Sequence, residues 1–117
     1  MARLSIRIDL KPGGRLGPGK IALLERIAAT GSISAAGRAM GMSYRRAWLL
    51  VEALNGQFRS PVVTTQTGGS HGGGAVLTPF GNELVSIYRS LEAELHRLAA
   101  DRLAALDSAA RSEPASG

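Results

Sequence analysis

Along the first ten residues, Leu4, Ile6, Ile8 and Leu10 alternate with Ser5, Arg7 and Asp9. A period of two puts the four apolar side chains on one face, so Leu4–Leu10 is predicted to be a strand with one buried side. Lys11–Gly19, with two prolines and four glycines, then breaks regular structure. From Lys20 to Thr30 the period becomes helical, with Ile21, Leu24, Ile27 and Ala28 on one face, and Gly31 stands where an αL cap would end the helix.

Two further helical patterns follow, separated by Gly41 and Met42. The first, with Ser32 or Ser34 as its cap, carries Ala36 and Met40. The second opens on Ser43 as a hydroxyl N-cap and runs to Phe58, with Ala47, Leu50, Val51, Leu54 and Phe58 inward. Gly37 lets the two backbones approach and Gly41 suits the tight turn, so the pair reads as a helix-turn-helix. Pro61–Gln66 and Ala75–Leu77 are strand patterns joined by the glycine-rich loop Thr67–Gly74, a hairpin placed where a wing would follow the second helix.

Thr78 and Pro79 then start a last helix, a hydroxyl cap followed by proline at the first helical position, and the pattern continues unbroken to about Leu106. Within it Leu84, Tyr88, Leu91, Leu95 and Leu98 step by four, three, four and three, a heptad seam. A helix longer than the small domain beside it cannot bury that seam against its own chain, so these five residues are expected to pair with a second subunit, with packing of the seam wholly onto the helix Lys20–Thr30 as the alternative. Asp107–Gly117 is small and polar, and a disordered tail is expected there. The predicted fold class is mainly α with a small β-sheet. It comprises a winged helix-turn-helix over residues 1–78, a long dimerisation helix over 79–106 and a tail over 107–117.

Composition sharpens this picture at three points. A chain of 117 residues, 44% hydrophobic but with only 4% aromatics, must fill a modest core with Leu, Ile, Val and Ala. The absence of cysteine removes disulfides and thiolate metal sites. No apolar run reaches the ~20 residues of a membrane span and no signal peptide precedes the first strand pattern, so a cytoplasmic protein without a membrane partner is expected. The net charge of +5 is uneven: residues 1–60 carry ten Lys or Arg against three acids, and residues 61–117 four against six. The half with the helix pair is the basic one, which favours a polyanionic partner.

Candidate chemistry narrows in the same direction. Gly14–Lys20, GRLGPGK, fits the phosphate-loop spacing G-x-x-x-x-G-K, but Ile21 stands where a magnesium-binding hydroxyl belongs and Pro18 lacks an N–H donor. It reads as an ordinary connection. The two histidines, His71 in the glycine loop and His96 on the long helix, have no helical ligand partner, and the pair Glu92 and His96 is expected to be solvated. No cofactor, metal or catalytic centre is expected.

The basic residues of the second helix divide differently. Arg45 and Arg46 offer bidentate forks to guanine edges or charge to phosphates, and Ser43 and Tyr44 offer hydroxyls. Arg38 and Ser34 on the preceding helix are candidate backbone contacts, with a solvated arginine as the alternative for Arg38. The loop residues Thr67, Gly68, Gly69, Ser70, His71 and Gly72 would lie along phosphates or the minor groove, or form a hairpin tip with no ligand. Trp48 is assigned to packing between helix and sheet, with a groove contact as the alternative.

The segment ATGSISAAGRAMGMSYRRAW, together with TTQTGGSHGGGAVLTPFGNELVSIY, resembles the N-terminal DNA-binding domain of ModE-type molybdate-responsive transcription regulators. More distantly, GSISAAGRAMGMS resembles the helix-turn-helix of LysR-type regulators. The first resemblance runs from about Leu4 to Leu106. It implies a homodimeric winged helix-turn-helix on double-stranded DNA, with base contacts from Ser43, Tyr44, Arg45 and Arg46 and wing contacts from Thr67–Gly74. In that family the oxyanion is bound by a separate C-terminal domain, so no molybdate site is expected in these residues. A protein interaction module and a non-specific architectural DNA binder are the alternatives to a sequence-specific regulator.

Overall fold

The computed structural model describes residues 1–66 and 74–111. Among these, the elements in chain order are β1 (Ile8–Asp9), β2 (Arg15–Leu16), α1 (Pro18–Thr30), α2 (Ile33–Ala39), α3 (Tyr44–Gln57), β3 (Val63–Gln66), β4 (Gly74–Leu77) and α4 (Pro79–Ala109). Two antiparallel strand pairs result: Ile8 faces Leu16, and Val63 to Gln66 face Leu77 to Gly74.

Helix α1 is the centre of the core. Ile21, Leu23, Leu24 and Ile27 are all fully buried, and burying each contributes about 1.5–3 kcal/mol. Its buried arc is wider than a single face because α2, β4 and α4 all pack on it. Leu23 is therefore inside, while Ala28, predicted inward, is exposed. The helix also starts earlier than the apolar pattern does, at Pro18, in the first position that proline tolerates. Gly31 ends it with φ 71°, as its αL role requires.

The helix pair forms by the capping its sequence encodes. The Ser32 hydroxyl accepts from the Ala35 N–H at 3.1 Å, so Ser32 rather than Ser34 is the cap of α2. Ser43 does the same for α3 through the Arg46 N–H, also at 3.1 Å. Between them Gly41 takes φ 69°. Gly37 lies so close to α3 that a Cβ there would stand 3.0 Å from that of Ala47. Ala47, Val51 and Leu54 are buried, whereas Leu50 and Phe58 are only partly covered, Phe58 standing edge-on to Phe80 at 5.3 Å.

The connection from α3 to β3 is clamped from two sides. The Asn55 side chain accepts from the N–H groups of Val62 and Val63 at 2.7 and 3.1 Å and donates to the Val63 carbonyl at 3.0 Å. From the other side the Thr78 hydroxyl donates to the Pro61 carbonyl at 2.7 Å and accepts from the Gly81 N–H at 2.9 Å, capping α4 in the same arrangement. At Gly81 a Cβ would stand 2.2 Å from the Val62 carbonyl oxygen, so only glycine lets α4 begin there. The Ala75 N–H donates to the Gly31 carbonyl at 2.9 Å, which ties β4 to the turn before α2.

Four sequence expectations are corrected. The alternation over Leu4–Leu10 survives as alternating exposure, but only Ile8–Asp9 finds a strand partner, two residues of the segment expected to be irregular. The rest of the N-terminal segment lies along α4 instead. Tyr88 Oη donates to the Ile6 carbonyl, the Leu4 N–H donates to His96 Nε2 at 2.9 Å, and the Ala2 N–H donates to Asp107. His96 is thus not a solvated partner of Glu92; its other ring nitrogen meets the Glu92 carbonyl at 2.8 Å, and the Glu92 carboxylate pairs with Arg89 at 2.7 Å.

Helix α4 continues to Ala109, three residues into the expected tail; residues 112–117 of that tail lie outside the described residues. The heptad seam is also divided. Leu84 and Tyr88 are buried in the chain's own core, because this first third of α4 lies over α1 and the strands. Leu91 and Leu98 remain exposed and Leu95 is half-buried. The core therefore crosses from residues 1–78 into α4 without interruption.

Candidate nucleic-acid interface

Three stripes of side chains run along the outer side of α3, each spaced four residues apart. Tyr44 and Trp48, 57% and 39% exposed, face the hairpin. With Ser34 of α2 and Thr65, Gln66 and Ala75 of the hairpin they line a cleft of about 460 Å³. Arg45 and Leu49 form the second stripe, and Arg46 and Leu50 the third. Arg38 is exposed in the last turn of α2, where a cation suits the negative helix end.

The electrostatics of the first turn of α3 are unbalanced. It contains no acidic residue, although acids are favoured at a positive helix end. Arg45 and Arg46 stand there exposed, and among the described residues neither is in an ion pair. A polyanion arriving at this turn meets two guanidinium groups and a phenol together with the helix's own positive end. The Ser43 hydroxyl accepts the capping bond from the Arg46 N–H and keeps its own hydrogen to donate.

Ser34 and Tyr44 line the cleft on the hairpin side of α3, while Arg45 and Arg46 line the surface farther round the same helix turn. Trp48 is a correction: it is not a packing residue between helix and sheet but part of the exposed cleft wall beside Tyr44. The four-residue spacing from Tyr44 was the available signal. Thr65 and Gln66 were not singled out in the sequence; they enter the site because the clamp at residues 61–63 brings β3 alongside α3. Thr67, Gly68, Gly69, Ser70, His71 and Gly72 lie outside the described residues. Among the described residues no three His, Asp or Glu side chains converge as a metal site would need, and no helix is long and apolar enough to cross a membrane.

Residues 19–82 match the family described as bacterial regulatory helix-turn-helix protein, lysR family. Among curated proteins, the chain is 49% identical over 88 residues to a protein of Rhodobacter capsulatus named molybdenum-pterin-binding protein MopB, covering 75% of this chain and 33% of that one. It is 39% identical over 103 residues to the molybdenum transport protein ModE of Azotobacter vinelandii, 88% of this chain and 37% of the relative. Against the DNA-binding transcriptional dual regulator ModE of Escherichia coli K12 the identity is 41% over 86 residues, 74% and 32%. The chain spans about a third of the length of these relatives. The matched segment contains α2, the Gly41 turn, α3 and the hairpin whose geometry is given above, and the chain belongs to the lysR family of bacterial regulatory helix-turn-helix proteins, with a ModE-like DNA-binding domain.

Proposed function

We propose that the protein is a sequence-specific, DNA-binding transcription regulator that works in the cytoplasm as a homodimer. The observation that carries the reading is the first turn of α3, where Tyr44, Arg45 and Arg46 are exposed at a positive helix end with no acid to balance them. In a helix-turn-helix that turn enters the major groove, where an arginine fork pairs with guanine. Arg45 is the base reader in this reading, with Tyr44 and Trp48 beside it. Ser34 and Arg38 contact the backbone, and the loop Thr67–Gly72 reaches phosphates or the minor groove on the wing side.

The dimer is assigned to the part of α4 beyond the core. By the helical advance of about 100° per residue, Leu91, Leu95 and Leu98 share a face with Ile87 and Leu106. Two copies joined there would present two recognition helices to half-sites about 34 Å apart on an inverted-repeat operator.

Electrophoretic mobility with the protein's own upstream DNA and with random duplex of equal length tests the reading. Arg45→Ala is expected to cost about 1–3 kcal/mol on the upstream fragment and to flatten the preference over random DNA. An unchanged preference in that variant refutes base reading by Arg45. No shift by the wild type at low salt assigns the domain to protein interaction, and a shift without preference assigns it to architectural binding.

A further inference from the structure

The flank of α3 opposite the hairpin holds a second cleft, about 310 Å³, where residues from the N-terminal part of the chain and the start of α1 meet α3. Arg7 reaches it from just before β1, Arg15 from β2, Lys20 from the start of α1 and Arg46 from α3, around a floor formed by Met42 and Leu50. No carboxylate lines it. We propose that this cleft grips the sugar–phosphate backbone of the DNA whose bases α3 reads, an inference that rests on the function proposed above.

Four cations are gathered here with little to offset them. Arg7 is paired with Asp9 at 3.2 Å, both groups exposed. Among the described residues Arg15 and Arg46 have no acidic partner. Lys20 donates to the Arg15 carbonyl at 2.7 Å, and burial, with Arg15 adding to it, holds its ammonium below the ordinary lysine value. The cleft is thus a place where the folded chain sets four like charges together and, among the described residues, offsets only Arg7, through Asp9; a phosphate relieves the remaining repulsion.

Position makes the ligand a nucleic-acid backbone rather than a small anion. Arg46 belongs both to the cleft wall and to the first turn of α3, so whatever occupies the cleft touches the recognition helix. The cleft is wide open and its floor is apolar, which suits a passing strand of phosphates and sugars. The two neighbouring arginines consequently separate by role: Arg45 reads bases, and Arg46 joins Arg7, Arg15 and Lys20 in holding the strand.

The test compares Arg15→Gln, Lys20→Gln and their combination with wild type, measuring affinity for the upstream fragment and for random duplex across salt concentrations. Each lost phosphate contact is expected to lower the slope of log K against log salt by about 0.9 and to weaken both DNAs by the same factor, leaving the preference between them intact. Arg15→Lys should restore the slope. Wild-type slope and affinity in the combined variant, with an unchanged thermal melt, overturns the cleft assignment while leaving base reading by α3 standing. Loss of preference instead of slope overturns it as well, because the cleft would then be reading sequence. Absence of any wild-type shift removes the proposed function and this inference together.

Discussion

The two ends of α4 are built from the same kind of sequence and live in different surroundings. Near its start Gly81, Leu84 and Tyr88 are buried against Val62, α1 and the N-terminal segment at Ile6. Past Leu91 the same apolar periodicity continues, but Leu98 is 71% and Leu106 62% exposed. The domain beneath is simply shorter than a helix of 31 residues, about 46 Å, and covers only its first part. The N-terminal segment, held at Ile6, Leu4 and Ala2, shields one flank farther along but leaves the leucine ridge open. One amphipathic stripe is therefore covered by its own chain along its first part and left open along the rest.

If this division is right, substitutions on the two ends should part company. Tyr88→Ala should destabilise the fold by about 3–5 kcal/mol in urea unfolding, from the emptied volume and the lost bond to Ile6; a cost under about 1 kcal/mol would mean that the proximal end is not core. Gly81→Ala should cost about 1–3 kcal/mol, since its methyl must displace the Val62 backbone. A melt like that of the wild type would put the start of α4 elsewhere. At the distal end, Leu98→Asp with Leu106→Asp should leave unfolding of the monomer within about 0.5 kcal/mol. In sedimentation the same pair should convert dimer to monomer, and an unchanged sedimentation coefficient would remove the ridge as the subunit contact.

The smallest effect is expected at the border between the ends, where Arg89 of α4 meets Glu25 of α1 at 2.6 Å. Hydrogen bonds from Arg89, and then its charge, hold the Glu25 carboxyl below the ordinary value of 4.5. The pair's contribution is therefore present above pH 4.5 and is lost as the pH falls through the depressed value. Both side chains are about two-fifths exposed, so solvent limits it to under about 1 kcal/mol. Glu25→Gln should remove this acid-side step from a stability–pH curve; a step of undiminished size would assign it to another carboxyl.

The caps and turns were legible because each depends on one or two local residues. Ser43, Thr78 with Pro79, Gly31 and Gly41 all act where their chemistry implies. Periodicity located the apolar face of α4 but carried no information on which wall covers it, so Leu84 and Tyr88 were grouped with Leu91, Leu95 and Leu98. For Trp48 a large apolar surface argued for the core, while its place in the stripe with Tyr44 put it in the cleft wall. The partner of the first strand and the clamp at Asn55 are non-local, and nothing in the sequence near either one marks it. Within the site, the arginines of α3 could be named from the sequence, but their division between two flanks depends on helix phase and on residues from the opposite end of the chain.

The clamp on residues 61–63 has a consequence for how such domains diversify. Asn55 fixes the hairpin's base to α3, and Thr78 fixes it to α4, so the angle at which the hairpin leaves the body is set entirely below its tip. A tip exchanged for one of different length or composition inherits that launch direction. The loop is in that sense an interchangeable part, and the mounting at Asn55, Thr78 and Gly81 holds the direction of the strands relative to α3.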